Sequence, residues 1–277
     1  MLRKQSASGV SLAIRKTMFS YNSQSTLLEK TKPQEFTIKI ANNLEEREAV
    51  FRLAYQIYLE KGYIKNNGNE WMIQPYDSNP ETVILIVQDK QKQIVGSLTL
   101  VFSASTKLPV EKIYSEEIAQ LKSKSEKIVE ISRLVIDPNY RNSKEILNLL
   151  FNYLVIYSLH VKNYSSLVIQ VNPRHASYYK TLLKFDEIGE EKACPSVQNA
   201  PAILLYLPIA RYQTELKRCN STMPQEKKDR SLYQYFLKPE QEPLVANYLA
   251  NQAKPMSGEE RLYFGFAESG ISRAVCV

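Results

Sequence analysis

The sequence predicts an α/β domain followed by a helical extension, and three observations carry that expectation. Strand-like and helix-like segments alternate from about residue 34 to residue 209, an apolar run at 128–136 carries a carboxylate and a guanidinium, and the chain changes character after Pro208. At 277 residues with 44% apolar composition, one generous domain with an extension can fill a core of its own. The opening stretch, residues 1–33, is basic and Ser-rich at its start and lacks the continuous apolar run of a secretory signal, so it reads as a flexible arm. From Phe36 to Ile40 apolar and polar residues alternate, which is the period of a strand. A helix start falls at Asn42 or Asn43, and if Asn43 is the cap, Glu46 stands where its partner belongs. Val50, Leu53, Ala54, Ile57 and Tyr58 then recur at helical spacing, with Gly62 as a stop. Asn66 to Pro80 holds Gly68, Trp71, Pro75, Tyr76 and Asp77 without a steady period and reads as an ordered loop.

Thr82–Gln88 and Ile94–Phe102 are β-rich runs across a polar turn, a hairpin, and Ile128–Ile136 is a further strand. Lys144–Val161 is apolar on nearly every side, as a helix packed between sheet and extension should be. Ser165–Val171 returns as a strand, His175–Lys184 as a short helix, and Ala202–Leu207 as a strand before Pro208. Within residues 210–277, Arg211–Asn220 and Glu240–Lys254 look helical, separated by the charged stretch Gln225–Arg230, and no internal repeat occurs.

Composition narrows the chemistry. The net charge of +7 favours an acidic partner such as nucleic acid, an anionic membrane or an acidic carrier protein, and serves equally as a solubility device. No run of about 18 uncharged apolar residues exists, so no transmembrane segment is expected. Cys194, Cys219 and Cys276 are far apart, without the paired spacing of a zinc site or disulfide framework, and fit a reducing cytoplasm. His160 and His175 are the only histidines, so no metal site is expected and acid–base work falls to carboxylates or tyrosine. His175, at a strand-to-helix turn with no acid or nucleophile beside it, reads as structural.

The run 127–136 holds most of the chemical information. Glu130 and Arg133 lie in an otherwise apolar strand, and burying an isolated charge is very costly, so each must find a partner or a cavity. By strict alternation Glu130 and Ser132 share a face while Arg133 points the other way, so a direct Glu130–Arg133 pair requires a β-bulge. A structural ion pair and a reactive site are both compatible with this pattern, and perturbed carboxylates gather at sites.

The order Glu130-Ile131-Ser132-Arg133, after Tyr76-Asp77 and a helix bearing Arg52, resembles the LuxI-type acyl-homoserine-lactone synthases. The downstream half is similar to the FeeM-type long-chain N-acyl amino acid synthases: Val171 to His175, Tyr179 to Phe185, Pro195 to Val197 and Ala200 to Ala202. The extension, with Tyr235 to Leu237, Lys254 to Ser257 and Tyr263-Phe264, resembles that family too, so the likeness covers most of residues 36 to 266. It implies the GNAT fold, a mixed central sheet flanked by helices, over residues 34–209, and an acyltransferase that takes acyl carrier protein as donor and an amino acid or similar small amine as acceptor. On this resemblance Glu130, Ser132 and Tyr179 are the candidate catalytic residues, and Arg52, Trp71, Tyr76, Asp77 and Arg133 would hold the amine substrate. Backbone N–H groups at Leu134, Val135 and Ile136, together with Arg141, Asn142, Ser143, Lys144 and Asn172, would receive the donor's phosphopantetheine arm.

Two features depart from the common pattern. Where many acetyl-CoA enzymes carry a Gly-rich turn that grips pyrophosphate, this chain has Arg141-Asn142-Ser143-Lys144-Glu145, and no Gly stands between Gly96 and Gly189. Phosphopantetheine on a carrier has no pyrophosphate, so the departure favours the carrier as donor, although Ser143 as a plain helix cap suits either donor. Lys184 replaces the Gly expected before Phe185. Arg141, Lys144, Lys162 and Arg174 are expected to flank the pantetheine entrance. The rival readings are an acyl-homoserine-lactone synthase, an acetyl-CoA-dependent N-acetyltransferase, and an inactive GNAT fold used as a binding module; nucleic acid is not expected as a partner.

Overall fold

The computed structural model describes residues 36–266 apart from positions 67, 69 and 221–229. The arm expected at 1–33 lies outside the described residues, as does the charged stretch 225–230 except Arg230. Seven strands form one sheet in the order β1-β2-β3-β4-β5-β7-β6. They are β1 (Thr37–Ile40), β2 (Val83–Gln88), β3 (Ile94–Phe102), β4 (Ile128–Ile136), β5 (Ser166–Val171), β6 (Asp186–Cys194) and β7 (Ala200–Pro208). All neighbours pair antiparallel except β4 and β5, which run parallel. The helices are α1 (Leu44–Glu60), α2 (Ser115–Ser123), α3 (Lys144–Ile156), α4 (Pro173–Leu183), α5 (Ile209–Asn220), α6 (Glu242–Gln252) and α7 (Gly258–Tyr263).

Local chemistry accounts for the ends of α1. Asn43 caps it by accepting from the Glu46 N–H at 2.9 Å, while Glu46 accepts from the Asn42 N–H at 3.1 Å. Gly62, at φ 67°, lets the chain leave in a left-handed conformation. The apolar run after Ser143 is α3, which continues as a π-helical turn at Tyr157–Val161. The first turn of α3 crosses β3 so closely that a Cβ on Gly96 would sit 2.7 Å from the Ile146 methyl.

Strand alternation divides the core. One face of the sheet carries Leu85, Leu98, Leu100, Val129, Ile131 and Leu167, packed under α3, α4 and the extension helices. The other carries Ile84, Ile86, Thr99, Val101, Glu130 and Ser132, covered by α1, the loop through Asp77, and the segment 108–121 that includes α2. The extension is anchored by a buried carboxylate: Glu242 accepts from the Tyr212 hydroxyl and lies 2.7 Å from His160 Nε2. At the end of α6, the Ile40 N–H donates to the Gln252 side chain at 3.1 Å, tying the helix to β1. Among the described residues no helix is long and apolar enough to cross a membrane, and no group of three His, Cys, Asp or Glu side chains could hold a metal ion.

Candidate active site

The site begins with a slip in the sheet. On β3 and β4, Thr99 faces Ser132 and Ser97 faces Val135, so three steps of β4 match two of β3 and one residue bulges. Arg133 takes it up with a left-handed φ of 47°. The bulge rotates Arg133 onto the face of Glu130 and Ser132, where its Nη2 donates to Thr99 Oγ1 at 2.9 Å.

The bulge anticipated for a Glu130–Arg133 pair is present, yet the two side chains do not pair. Arg133 grips Asp77 with both terminal nitrogens, Nη1 to Oδ2 at 2.7 Å and Nη2 to Oδ1 at 2.5 Å. Nη1 also donates to the Met72 carbonyl at 2.9 Å, and the guanidinium stacks over the Phe51 ring at 4.9 Å and the Tyr76 ring at 5.7 Å. Both side chains of this pair are sealed from water. Its terminal donors are thus all directed to protein partners, and no free fork remains for an acceptor carboxylate.

Glu130 is buried on its own. Its Oε2 accepts from the Val110 N–H at 2.8 Å, in the 3₁₀ turn Pro109–Lys112 that covers it. Burial pushes its carboxyl up to about 8; the Val110 bond opposes that rise, and neighbouring Glu111 adds to it. Ser132, two residues on, lies 3.0 Å from the Tyr76 hydroxyl.

Just past Glu130 the sheet opens. The β4/β5 ladder runs only from Ile128–Ser166 to Ile131–Ile169, while β4 continues to Ile136 and β5 to Val171. Leu134, Val135 and Ile136 therefore have no partner strand on the β5 side. Around this opening stand the ends of three helices. Ser143 caps α3 and accepts from the Ile146 N–H at 3.4 Å, and Asn172 caps α4, accepting from the Arg174 N–H at 3.2 Å. Lys61 follows the end of α1, and its ammonium is held below its ordinary range, first by burial and then by the charges of Arg141 and Arg174. Arg174 reaches the Tyr63 hydroxyl at 2.6 Å, Arg141 lies 3.8 Å from Glu60, Lys144 opens α3, and Asn142 precedes its cap. Lys162 is elsewhere: it pairs with Glu81 and lies over the Phe102 ring, far along β3 from this opening, which corrects its expected place beside the entrance.

The structure thus gathers Glu130, Ser132, Tyr76, Asp77 and Arg133 on one face. Arg52 stands outside this group, bound to Glu48 and Glu70 and lying over Trp71 at 5.6 Å. Trp71 packs on Tyr263 and Phe264 of the extension. Tyr179 packs its ring among Phe151, Tyr178 and Phe185, and burial raises its phenol. Two residues near the opening escaped the sequence reading in their present setting. Tyr58 belongs in sequence to the helix's apolar repeat, but burial lifts its phenol to about 12 while the Arg133 charge opposes the rise. Lys61 stood at a helix end and carried no motif; only its meeting with Arg141 and Arg174 marks it.

The opening between two parallel strands beside a bulged, polar strand is the geometry of a GNAT-like acyltransferase fold. The solved structure of FeeM, an N-acyl amino acid synthase from uncultured soil microbes, superposes with a TM-score of 0.58 at 23% identity, covering 67% of this chain and 96% of that one. Two further structures superpose at a TM-score of 0.50. One is the CoA-dependent acyl-homoserine lactone synthase BjaI, solved with MTA, at 15% identity over 73% of this chain and 99% of that one. The other is TofI, solved in a ternary complex with an inhibitor and MTA, at 12% identity over 63% and 91%. No curated protein matches the chain. Residues 49–208, more than half of the sequence, match the family described as N-acyl amino acid synthase FeeM, and the chain belongs to that family of acyltransferases.

Proposed function

We propose that this acyltransferase moves a long-chain fatty acyl group from acyl carrier protein to the amine of an amino acid, forming an amide and free holo carrier. The observation that carries the reading is Glu130: a buried carboxyl with a proton affinity near neutrality, at the root of the opening between β4 and β5. In this mechanism the thioester lies in the opening with its carbonyl oxygen toward backbone N–H groups of Leu134 to Ile136, which stabilise the oxyanion. Ionised Glu130, directly or through a water, takes the proton from the attacking nitrogen. The C–N bond forms, the tetrahedral intermediate collapses, the C–S bond breaks, and the thiolate is protonated, with Tyr179 as proton donor.

The donor assignment rests on the turn 141–145. It has no glycine to wrap a pyrophosphate, whereas the cations Lys61, Arg141 and Arg174 suit an acidic carrier and the phosphate of its arm. Leu134, Leu147, Val171, Tyr179 and Leu182, all partly buried against the main core, offer an apolar path for the chain. Each buried CH₂ contributes about 0.8 kcal/mol, which favours a long acyl group. Mass spectrometry of lipid extracts from bacteria expressing the chain tests the reading. Long-chain N-acyl amino acids are the expected product. Acyl-homoserine lactones, short acetylated amines, or no new acylated product under good soluble expression would each overturn it.

A further inference from the structure

Glu130 has an apolar residue on either side: Val101 faces it across β3 and Val168 across β5, and both are fully buried. Leu108 and Val110 join the same apolar cluster, so the turn that covers Glu130 is seated by its own side chains. The Val110 peptide is held at both ends. Its N–H donates to Glu130 Oε2 at 2.8 Å, and its carbonyl accepts from the N–H groups of Ile113 at 3.2 Å and Tyr114 at 3.0 Å. Glu111 closes this turn. Its Oε1 accepts from the Leu108 N–H at 2.8 Å and lies 2.9 Å from the Lys122 ammonium, in the last turn of α2.

Glu111 therefore touches Glu130 in two opposed ways. The Val110 bond and the Lys112 charge favour the ionised form of Glu130, whereas the Glu111 charge disfavours it. Other ionisable groups on elements packed over this face are engaged elsewhere. Arg133 holds Asp77, Tyr76 bonds Ser132, Glu117 of α2 pairs with Lys192 of β6, and Tyr206 of β7 bonds Glu126. Tyr114 donates to the Glu190 and Ala202 carbonyls, and Tyr58 of α1 answers to Arg133.

We infer that Glu111 is a positioning residue for Glu130: its carboxylate closes the turn that holds the Val110 N–H on the buried acid, and adds a second negative charge within reach of it. This rests on Glu130 as the base of the proposed N-acyl transfer.

The experiment uses the full chain and two readouts. One is the pH limb of kcat/KM with acyl carrier protein and an amino acid. The other is the Tm difference that Glu130→Gln makes in each background, followed from about pH 5 to 9, which needs no turnover. Glu111→Gln keeps an oxygen for the Leu108 N–H and removes the charge. The limb, and the pH at which the Glu130 contribution to stability disappears, should both move down by about half a pH unit. Lys112→Met removes the opposing cation and should move both up. Glu111→Ala loses the closure as well as the charge, so the Val110 bond slackens. Its limb should lie above that of Glu111→Gln, and its limiting kcat at least about fivefold below. A Glu111 with a merely structural role would alter Tm and kcat and leave the limb in place. If wild type acylates an amino acid while Glu111→Gln leaves the limb unmoved, or Glu111→Ala matches Glu111→Gln in limb and kcat, the Glu111 inference falls and the N-acyl transfer stands. If wild type acylates no amino acid, the N-acyl transfer falls and the Tm series decides alone: a shifted Glu111→Gln profile upholds the inference, and an unshifted one overturns it.

Discussion

Glu130 ties stability to pH in a direction opposite to that of a carboxylate held ionised by a cationic partner. Its carboxyl is raised from 4.5 to about 8, so the folded chain keeps a proton that the unfolded chain releases. Its contribution is fully present below about pH 4.5 and is lost as pH rises toward 8. Melting curves should show Glu130→Gln gaining on wild type across that window, and identical profiles would show that Glu130 is not held protonated. In the proposed mechanism the same group must be ionised to accept a proton, so kcat/KM should rise with pH to a limb near 8. The Gln variant should lose at least about a hundredfold in turnover while remaining folded. A folded Gln variant with near-normal turnover would remove Glu130 from the mechanism. Arg133 and Asp77 answer a different question at this scale. Removing one member of a sealed ion pair leaves a buried charge without compensation, so Asp77→Ala should cost about 3–5 kcal/mol by denaturant titration. A loss within that of an exposed pair would show that water reaches Arg133.

At the level of elements, α4 ends on Lys184 in the left-handed region at φ 60°, a conformation that glycine adopts without a Cβ penalty. Lys184→Gly should stabilise the protein by roughly 0.5–1 kcal/mol, read as a rise in Tm, because the cap geometry is retained and the strain removed. Legibility in the sequence followed periodicity and chemistry together. β4 was readable to its ends because its residues are apolar against a known period, and the α1 cap because Asn43 and Glu46 stand three apart. β6 was not readable: as an exposed edge strand rich in Glu, with Gly189 inside it, it shows no apolar alternation. α2 and α7, of nine and six residues, are too short to display a helical period. Within the candidate site, Glu130, Ser132 and Arg133 stood out because ionisable or polar groups interrupt an apolar strand. The Arg133–Asp77 pair did not, since only the bulge and the folding back of the loop at Pro75–Ser78 bring residues 56 positions apart into contact. Lys61 and Val110 depend in the same way on long-range closure.

Over the whole molecule, charge and connectivity meet at the opening between β4 and β5. Lys61, Arg141, Lys144 and Arg174 surround it, from the end of α1 and the starts of α3 and α4. Combined Lys61→Glu and Arg174→Glu should raise KM for acyl carrier protein at least about tenfold, and wild-type rates should fall steeply with added salt while the variant's do not. Equal rates with acyl-CoA and acyl carrier protein, untouched by the reversals, would place the carrier elsewhere. The parallel seam has a mechanical meaning as well. It joins a four-stranded half, β1 to β4, to a three-stranded half, β5 to β7, through a ladder that spans only Ile128 to Ile131 on β4. The extension crosses that seam on the outside: α5 continues from β7, its Tyr212 holds Glu242, and α6 ends on β1 through Gln252. The protein is thus built like a clothes-peg, with a short hinge in the middle of the sheet and a spring formed by α5 and α6 closing the two arms. Releasing Glu242 should therefore loosen hydrogen-exchange protection first along Ile128–Ile131 and Ser166–Ile169, before the outer strands.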